Sequence, residues 1–390
     1  MRTLAWATLA NTVGTGLWSA GAALFLTRSV GLPVTSVGVG LTVAAVVGLG
    51  ASVPLGHLAD RRDPRTLRAV LQLGQAAVAA SYLLVGSFAT FLVVAVLDAL
   101  LVAGNLTVRA ALVAAVAGPE GRVHAFATLR AVANVGISVG AALAGLALTA
   151  DNRTGYVLLA LGNAVTYLVS AGLLTRLPAL PPPPGVARVG GGLAALRDRP
   201  YLAVSAAASV VSLHAVVLTL VLPLWIAGQA HIPRATVSAV LVTNAVLTVL
   251  LTVRLSHGVR DTPSAARTMR RAGIVLAAAM LLYASSAGLA TGTAVGLLLC
   301  ATVVYTVGDL HHANASAGLA YNLAEPAALG QYQGVFGLVT GLAQAAGPAL
   351  LTLLLIGGGR AGWVVLAVVF SLAGSAVPVL TRSASRAGDG

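Results

Sequence analysis

The sequence predicts an all-α membrane protein with twelve transmembrane helices. Of its 390 residues, 58% are hydrophobic and only 8% are charged, and the mean hydropathy is +0.94. Apolar runs of about 20 residues recur along the chain, the length that an α-helix needs to cross a bilayer. They lack the apolar–polar alternation of membrane β-strands. This composition excludes a soluble globular domain.

Turn and charge signals divide the chain into twelve spans and one long connection. The connection, 177–199, contains four consecutive prolines from Pro181 and three glycines from Gly190, and it is predicted to link an N-terminal six-helix bundle (1–176) to a C-terminal one (200–390) that ends in a short tail. The predicted spans lie near 4–26, 36–56, 68–87, 91–117, 125–149, 156–176, 201–226, 234–256, 270–289, 293–319, 330–356 and 361–380.

Two short segments suggest that the two bundles are repeats. Gly104-Asn105-Leu106 in the fourth span is echoed by Gly308-Asp309-Leu310 in the tenth. Such an echo is expected from repeats that are related by an axis along the membrane normal.

The arginines predict the orientation. All 23 basic residues are arginine. If the N-terminus is inside, 18 arginines fall on or near the cytoplasmic face, only Arg28, Arg153, Arg234 and Arg360 fall outside, and Arg109 lies within a span. By the positive-inside rule, both termini and the 177–199 connection should be cytoplasmic. We read the first apolar run as a retained helix, because no small-residue cleavage site ends it.

The charge also bears on partners and source. The net charge is +13, but the arginines are distributed among the loops according to membrane topology and are not clustered on one face of a domain. No nucleic-acid partner is therefore expected. Arginine without lysine suggests a genome of high G+C content, and the expected location is a bacterial inner (plasma) membrane. The expected partners are the lipid bilayer, a small-molecule substrate and protons, and the chain is expected to be a monomer.

The loop after the second span carries the most specific pattern. It reads Gly56-His57-Leu58-Ala59-Asp60-Arg61-Arg62-Asp63-Pro64-Arg65-Thr66-Leu67. It resembles the loop signature of the major facilitator superfamily, matched at Gly56, Leu58, Ala59, Asp60, Arg61, Arg65 and Leu67. Asp63 and Pro64 stand where the family usually has Gly and Arg. The resemblance implies the fold of that superfamily, with two six-helix pseudo-repeats, and a cytoplasmic gate at Gly56, Asp60, Arg61 and Arg65.

Three ionisable residues inside predicted spans are candidates for proton coupling: Asp309, Asp98 and Arg109. Charges inside a bilayer are costly and mark functional sites by default. The resemblance implies that the first, fourth, seventh and tenth helices line a central cavity. The substrate-cavity candidates on those helices are Asn11, Thr15, Trp18, Asn105, His214, Tyr305 and Asn314.

Enzyme signatures are lacking in the sequence. There is no phosphate-binding G-x-x-x-x-G-K-[ST] loop, which would require a lysine, and there is no nucleophile elbow or zinc signature. The single cysteine, Cys300, gives no disulfide framework. We therefore expect neither an enzyme nor a bound cofactor or metal.

The first functional hypothesis is a secondary active transporter that couples efflux of a drug or metabolite to protons by alternating access. Gly136 and Gly140 match a helix-5 motif of drug–proton antiporters, but Ala141 stands where that motif has Pro. A proton-linked importer or facilitator of a small solute therefore stays open. A non-transporting membrane sensor is the third hypothesis, which the lack of a sizeable soluble domain disfavours.

Overall fold

A computed structural model describes residues 1–148, 153–180, 194–229, 231–256 and 258–388 of the chain. These described residues contain twelve long helical segments and no strand. We number them α1 Arg2–Leu24, α2 Val34–Arg61, α3 Pro64–Leu84, α4 Phe88–Gly118, α5 Glu120–Leu146, α6 Arg153–Leu174, α7 Arg199–Ala227, α8 Ala235–Ser256, α9 Thr262–Ser285, α10 Thr291–Asn322, α11 Pro326–Gly357 and α12 Gly359–Gly388.

The all-α membrane fold is confirmed. Within the described residues, ten of these helices are long and apolar enough to cross a membrane, and α1 and α9 are the two that fall outside this group. The first part of α9 carries Arg267, Arg270 and Arg271, which lower its apolar character. By length and composition alone, ten of the predicted twelve spans are therefore identified.

The start of α9 differs from the predicted span near 270–289. The helix begins at Thr262, about two turns earlier. Asp261 accepts a hydrogen bond from the Ser264 backbone, and the Ser264 hydroxyl interacts with the Asp261 backbone, which together form a capping box. The predicted span includes Arg270 and Arg271 but begins after Arg267, whereas the helix carries all three arginines.

Several helices are interrupted locally. The α-helix of α2 is interrupted at Gly50 and Ala51, and a π-helical turn, Phe25–Ser29, follows α1. Gly118 separates α4 from α5 with φ of 67°. This left-handed conformation strains any residue with a Cβ and explains why glycine stands at that sharp connection.

Contacts divide the chain into two compact units. The first contains Met1–Gly121, Thr128–Ala195 and Ala324–Leu338, so it includes the first turns of α11. In it, α6 packs against α1 and α3. The second contains Arg122–Ala127, Leu196–Leu323 and Val339–Gly390, and in it α9 packs against α10 and α12.

These units differ from the predicted bundles, 1–176 and 200–390, in the placement of 122–127 and 324–338. The two-bundle division stays a prediction. The proline and glycine runs of the predicted linker fall in 181–193, outside the described residues, and a four-residue helix, Ala194–Arg197, follows.

Candidate functional site

The Asp60 carboxylate binds the start of α11. Asp60 is buried at the end of α2. Its Oδ1 accepts a hydrogen bond from the Gly330 N–H at 2.5 Å, and its Oδ2 accepts one from the Gln331 N–H at 2.9 Å. Amides in the first turn of a helix have no partner within the helix and carry the positive end of its dipole. The carboxylate therefore satisfies two such donors with a charge of the favourable sign.

Glycine permits this close approach. A Cβ on Gly56 would collide with the Gly330 carbonyl oxygen, and a Cβ on Gly330 would collide with the Gly56 carbonyl oxygen. Gln331 adds side-chain contacts, with Nε2 3.2 Å from His57 Nδ1 and Oε1 accepting a 2.9 Å hydrogen bond from the Ala195 N–H. Backbone contact between α2 and α11 thus needs both glycines.

The departure from the family pattern at Asp63 and Pro64 has a local explanation. Asp63 accepts a hydrogen bond from the Arg65 N–H at 2.9 Å and caps α3, with Pro64 at the first helical position. The Arg65 side chain pairs with Asp63 at 3.2 Å and donates to the Leu177 carbonyl at 2.7 Å. Arg61 is exposed to solvent.

A buried polar ladder connects α3, α4 and α6 in the first unit. Arg68 Nε donates to Asn105 Oδ1 at 3.2 Å, and Asn105 Nδ2 donates to Gln75 Oε1 at 2.9 Å. Gln75 Nε2 then lies 3.4 Å from Tyr167 Oη. Asn105 therefore has a clear structural role, to hold Arg68 and Gln75 in place.

Asp98 lies among aromatic side chains. It is half-buried and hydrogen-bonded to the Tyr82 hydroxyl. The Tyr82 ring packs on Trp18, with ring centroids 4.7 Å apart. On the same helix as Trp18, Asn11 is half-buried with its Nδ2 unbonded within the described residues, and Thr15 is exposed.

Arg109 is half-buried, with its Nη2 3.5 Å from the Leu129 carbonyl oxygen. Its positive charge repels that of the fully buried Arg68. Arg109 and Asp309 belong to different units, and their pairing stays a prediction.

The second unit brings together four side chains of α7 and α10: His214, Tyr305, Asp309 and His312, all buried. His214 Nδ1 lies 2.8 Å from Tyr305 Oη. His214 Nε2 lies 3.3 Å from His312 Nδ1 and 3.7 Å from Asp309 Oδ1. We call these four residues the histidine cluster.

The hydrogen bonds of the histidine cluster limit where its protons lie. His312 Nε2 is 3.0 Å from the Ala208 carbonyl oxygen and 3.1 Å from the Ser316 hydroxyl, so it either donates to the carbonyl or accepts from the hydroxyl. If it donates, Nδ1 of a neutral His312 is an acceptor, and His214 Nε2 donates to it. The Tyr305 hydroxyl donates to the His214 carbonyl oxygen at 3.1 Å, so His214 Nδ1 must donate to the hydroxyl oxygen.

A histidine with hydrogens on both ring nitrogens is the imidazolium ion. If His312 Nε2 donates to Ala208, the cluster is fully hydrogen-bonded when His214 carries one extra proton, and the Asp309 carboxylate 3.7 Å from Nε2 balances that charge. If the Ser316 hydroxyl donates to His312 Nε2 instead, both rings are hydrogen-bonded in their neutral forms. In the part of the chain that the structure describes, no set of three or more His, Cys, Asp or Glu side chains is suited to hold a metal ion.

Sequence reasoning missed His312, Arg68 and Gln75. His312 follows Asp309 by three residues and so lies on the same helix face, a spacing that could have identified it. Arg68, Gln72 and Gln75 likewise lie one and two turns apart on α3. Of the predicted cavity residues, Asn314 is buried with its Nδ2 unbonded within the described chain.

Comparison with known proteins agrees with this architecture. The family model of the Major Facilitator Superfamily matches residues 4–348. No curated protein sequence matches the chain significantly. Solved structures share its fold. A bacterial homologue of the iron transporter ferroportin in an outward-facing state has a TM-score of 0.76 at 15% identity, covering 99% of both chains.

Two further transporters are similar at this level. The human organic anion transporter MFSD10 (TETRAN) has a TM-score of 0.67 at 17% identity, covering 96% of this chain and 98% of the other. The proton:xylose symporter XylE has a TM-score of 0.70 at 12% identity, covering 96% of this chain and 94% of the other. At these identities the likeness concerns the fold.

Proposed function

The chain belongs to the Major Facilitator Superfamily, and on that premise we propose that it exports a small organic molecule, a drug or a metabolite, in exchange for protons. Membership makes it a multi-pass membrane transporter of small molecules and not an enzyme. The proton coupling, the outward direction and the kind of substrate are our proposal.

The histidine cluster carries this proposal. Protonated His214 and ionised Asp309 form a pair without net charge, which is the less costly form to keep inside a bilayer. Loss of the proton leaves the Asp309 carboxylate with a buried charge. Proton release is then favoured when water reaches the cluster, or when a cationic substrate group or Arg109 compensates Asp309 instead.

Alternating access gives the other candidate residues their roles. Asp98 is the proposed second acid, nearer the exit, held by Tyr82. Asn11, Thr15, Trp18, Asn105, His214, Tyr305 and Asn314 are the proposed substrate-cavity residues, although Asn105 already bonds Arg68 and Gln75. The contact of Asp60 with the first turn of α11 is the proposed gate, because its hydrogen bonds can form in one state and break in the other.

The proposal extends to topology. We place the chain in a bacterial inner membrane with both termini and the 177–199 linker in the cytoplasm, acting as a monomer. Reporter fusions in the linker test this placement, and an external linker would contradict it.

The coupling is tested in two steps. A screen for compounds whose toxicity or efflux changes on expression supplies a substrate. Reconstituted vesicles with an internal pH dye then measure proton movement on its addition. We expect Asp309→Asn to abolish substrate-induced proton movement while leaving some substrate binding, because the amide cannot balance the charge of His214.

His311→Gln is the matched control. His311 is the neighbouring half-buried histidine, and its Nδ1 lies 2.7 Å from the Val307 carbonyl oxygen, away from the histidine cluster contacts. If Asp309→Asn keeps full substrate-induced proton movement, another residue couples transport to protons, and Asp98 is the next candidate. Substrate movement without pH dependence in the wild type would favour a facilitator.

Direction is a separate measurement. Accumulation in everted vesicles supports export, and accumulation only in right-side-out vesicles supports the importer. A chain that moves no compound in either orientation would favour a membrane sensor.

A further inference from the structure

A cavity of about 510 Å³ lies within the second unit, and none of its lining residues belongs to the histidine cluster. Four helices line it, through residues at the beginnings of α7 and α9, at the end of α10 and in the last third of α12. Because α7 and α9 begin and α10 ends at this level, the cavity lies near one end of the helices, where a spanning bundle meets the lipid headgroups.

The lining is basic. Arg267 of α9, Arg382 of α12 and Asp198 of α7 are its charged residues, so two arginines and one aspartate leave a net charge of +1. Asp198 already caps α7 by accepting the Tyr201 N–H at 2.9 Å. Asn322 also lines the cavity, and its Nδ2 finds no hydrogen-bond partner among the described residues.

The helix surfaces beside the cavity are apolar. Ile274 follows Arg267 by seven residues, on the same face of α9, and is 50% exposed. Val379, three residues before Arg382 on α12, is 66% exposed. A molecule with a charged head and apolar chains would contact both the arginines and this apolar flank, whereas a free phosphate would contact only the arginines.

We propose that this cavity binds the phosphate headgroup of an anionic phospholipid. Guanidinium groups bind phosphate through paired hydrogen bonds, and basic pockets between transmembrane helices recognise anionic headgroups. The cavity volume leaves room for the glycerol part of a headgroup beside the phosphate. This site is independent of the proposed transport mechanism.

Thermal unfolding of the purified full chain in neutral detergent tests the proposal, with phosphatidylglycerol, phosphatidylcholine or inorganic phosphate added. We expect phosphatidylglycerol to raise the midpoint by about 5 °C, since a ligand that binds only the folded state stabilises it. Phosphatidylcholine and inorganic phosphate should give much smaller shifts.

Variants then locate the effect. Arg267→Gln with Arg382→Gln should weaken the lipid response at least about tenfold in the concentration required, as expected for loss of charged hydrogen bonds. Arg267→Gln alone should weaken the lipid response severalfold. Because Arg267 is exposed, this single variant keeps the test valid if the double variant fails to fold. Arg270→Gln is the control, because Arg270 is exposed on α9 but does not line the cavity.

The proposal is overturned if both lipids shift the wild type equally, or if the double variant keeps the full phosphatidylglycerol response. A shift with inorganic phosphate as large as that with the lipid would assign the cavity to a soluble phosphate compound and overturn the lipid source.

Discussion

Replacing Asp60 by Asn gives a direct test of the contact between α2 and α11. The carboxylate accepts one N–H on each oxygen, from Gly330 and from Gln331. An asparagine keeps one acceptor oxygen, and its NH₂ group faces the other backbone donor. One charge-assisted hydrogen bond is therefore lost, and the asparagine NH₂ group lies against a backbone N–H that it cannot accept from.

The magnitude follows from the hydrogen bond. A bond to a charged group contributes about 1.5–3 kcal/mol, and removal of one partner leaves a buried donor unsatisfied. At about 1.4 kcal/mol per factor of ten, opening of this contact becomes roughly 10- to 150-fold more favourable.

Amide hydrogen exchange measures that opening locally. Exchange of the peptide that covers Gly330 and Gln331 should be faster in Asp60→Asn by this factor, with little change in α9, which belongs to the second unit. The control is Asp63→Asn, in the same loop, because Asp63 bonds the Arg65 N–H and caps α3 instead of α11.

An increase below about twofold at Gly330 and Gln331 would refute the reasoning. Positive-inside bias and the local cap of α3 would then account for the charged residues of this loop without a contact of Asp60 that stabilises α11.

Two further substitutions test local packing and capping. Gly56→Ala should lower the free energy of unfolding by about 1–3 kcal/mol, because its Cβ would collide with Gly330. Gly172→Ala is the control and should leave the free energy of unfolding unchanged, because its Cβ would meet no atom within 4 Å. Equal stability of the two variants would contradict this prediction. Asp261→Ala should cost about 0.5–2 kcal/mol by removing the cap on α9. Hydrogen bonds from Ser264 lower the pKa of Asp261, so this contribution is present above its ordinary pKa of 3.8 and is lost as the pH falls through the lower folded value. Thermal unfolding against pH measures it, and a cost that persists in strong acid would count against the cap.

The helical membrane fold was predictable because it depends on long apolar runs, which are a local property of the sequence. The start of α9 was predicted about two turns too late, because the predicted span followed the apolar run that begins near residue 270. The cap formed by Asp261 and Ser264 depends on two short polar side chains, which a search for apolar runs does not register.

The candidate site was predictable only in part. Asp309 stood out because a carboxylate in a span is rare, and Asp60 because its loop matches a known pattern. The partners of both come from distant parts of the chain: Gly330 follows Asp60 by 270 residues, and His214 precedes His312 by 98. A single sequence does not report which distant residues meet, so the histidine cluster and the buried polar ladder were evident only from the structure.

The buried ladder of α3 has a consequence for biosynthesis. α3 is the least apolar of the ten helices suited to span the membrane in the described chain, and it carries Arg68, Gln72 and Gln75 on its buried face. An arginine costs about 2.5–3.5 kcal/mol on insertion at the centre of an isolated helix, and Arg68, one turn inside α3, carries the part of that cost that applies nearer the membrane surface. The acceptor for Arg68 is Asn105, synthesised 37 residues later. α3 therefore gains a polar partner only after α4 has emerged from the ribosome, and the two helices should enter the bilayer together as a hairpin.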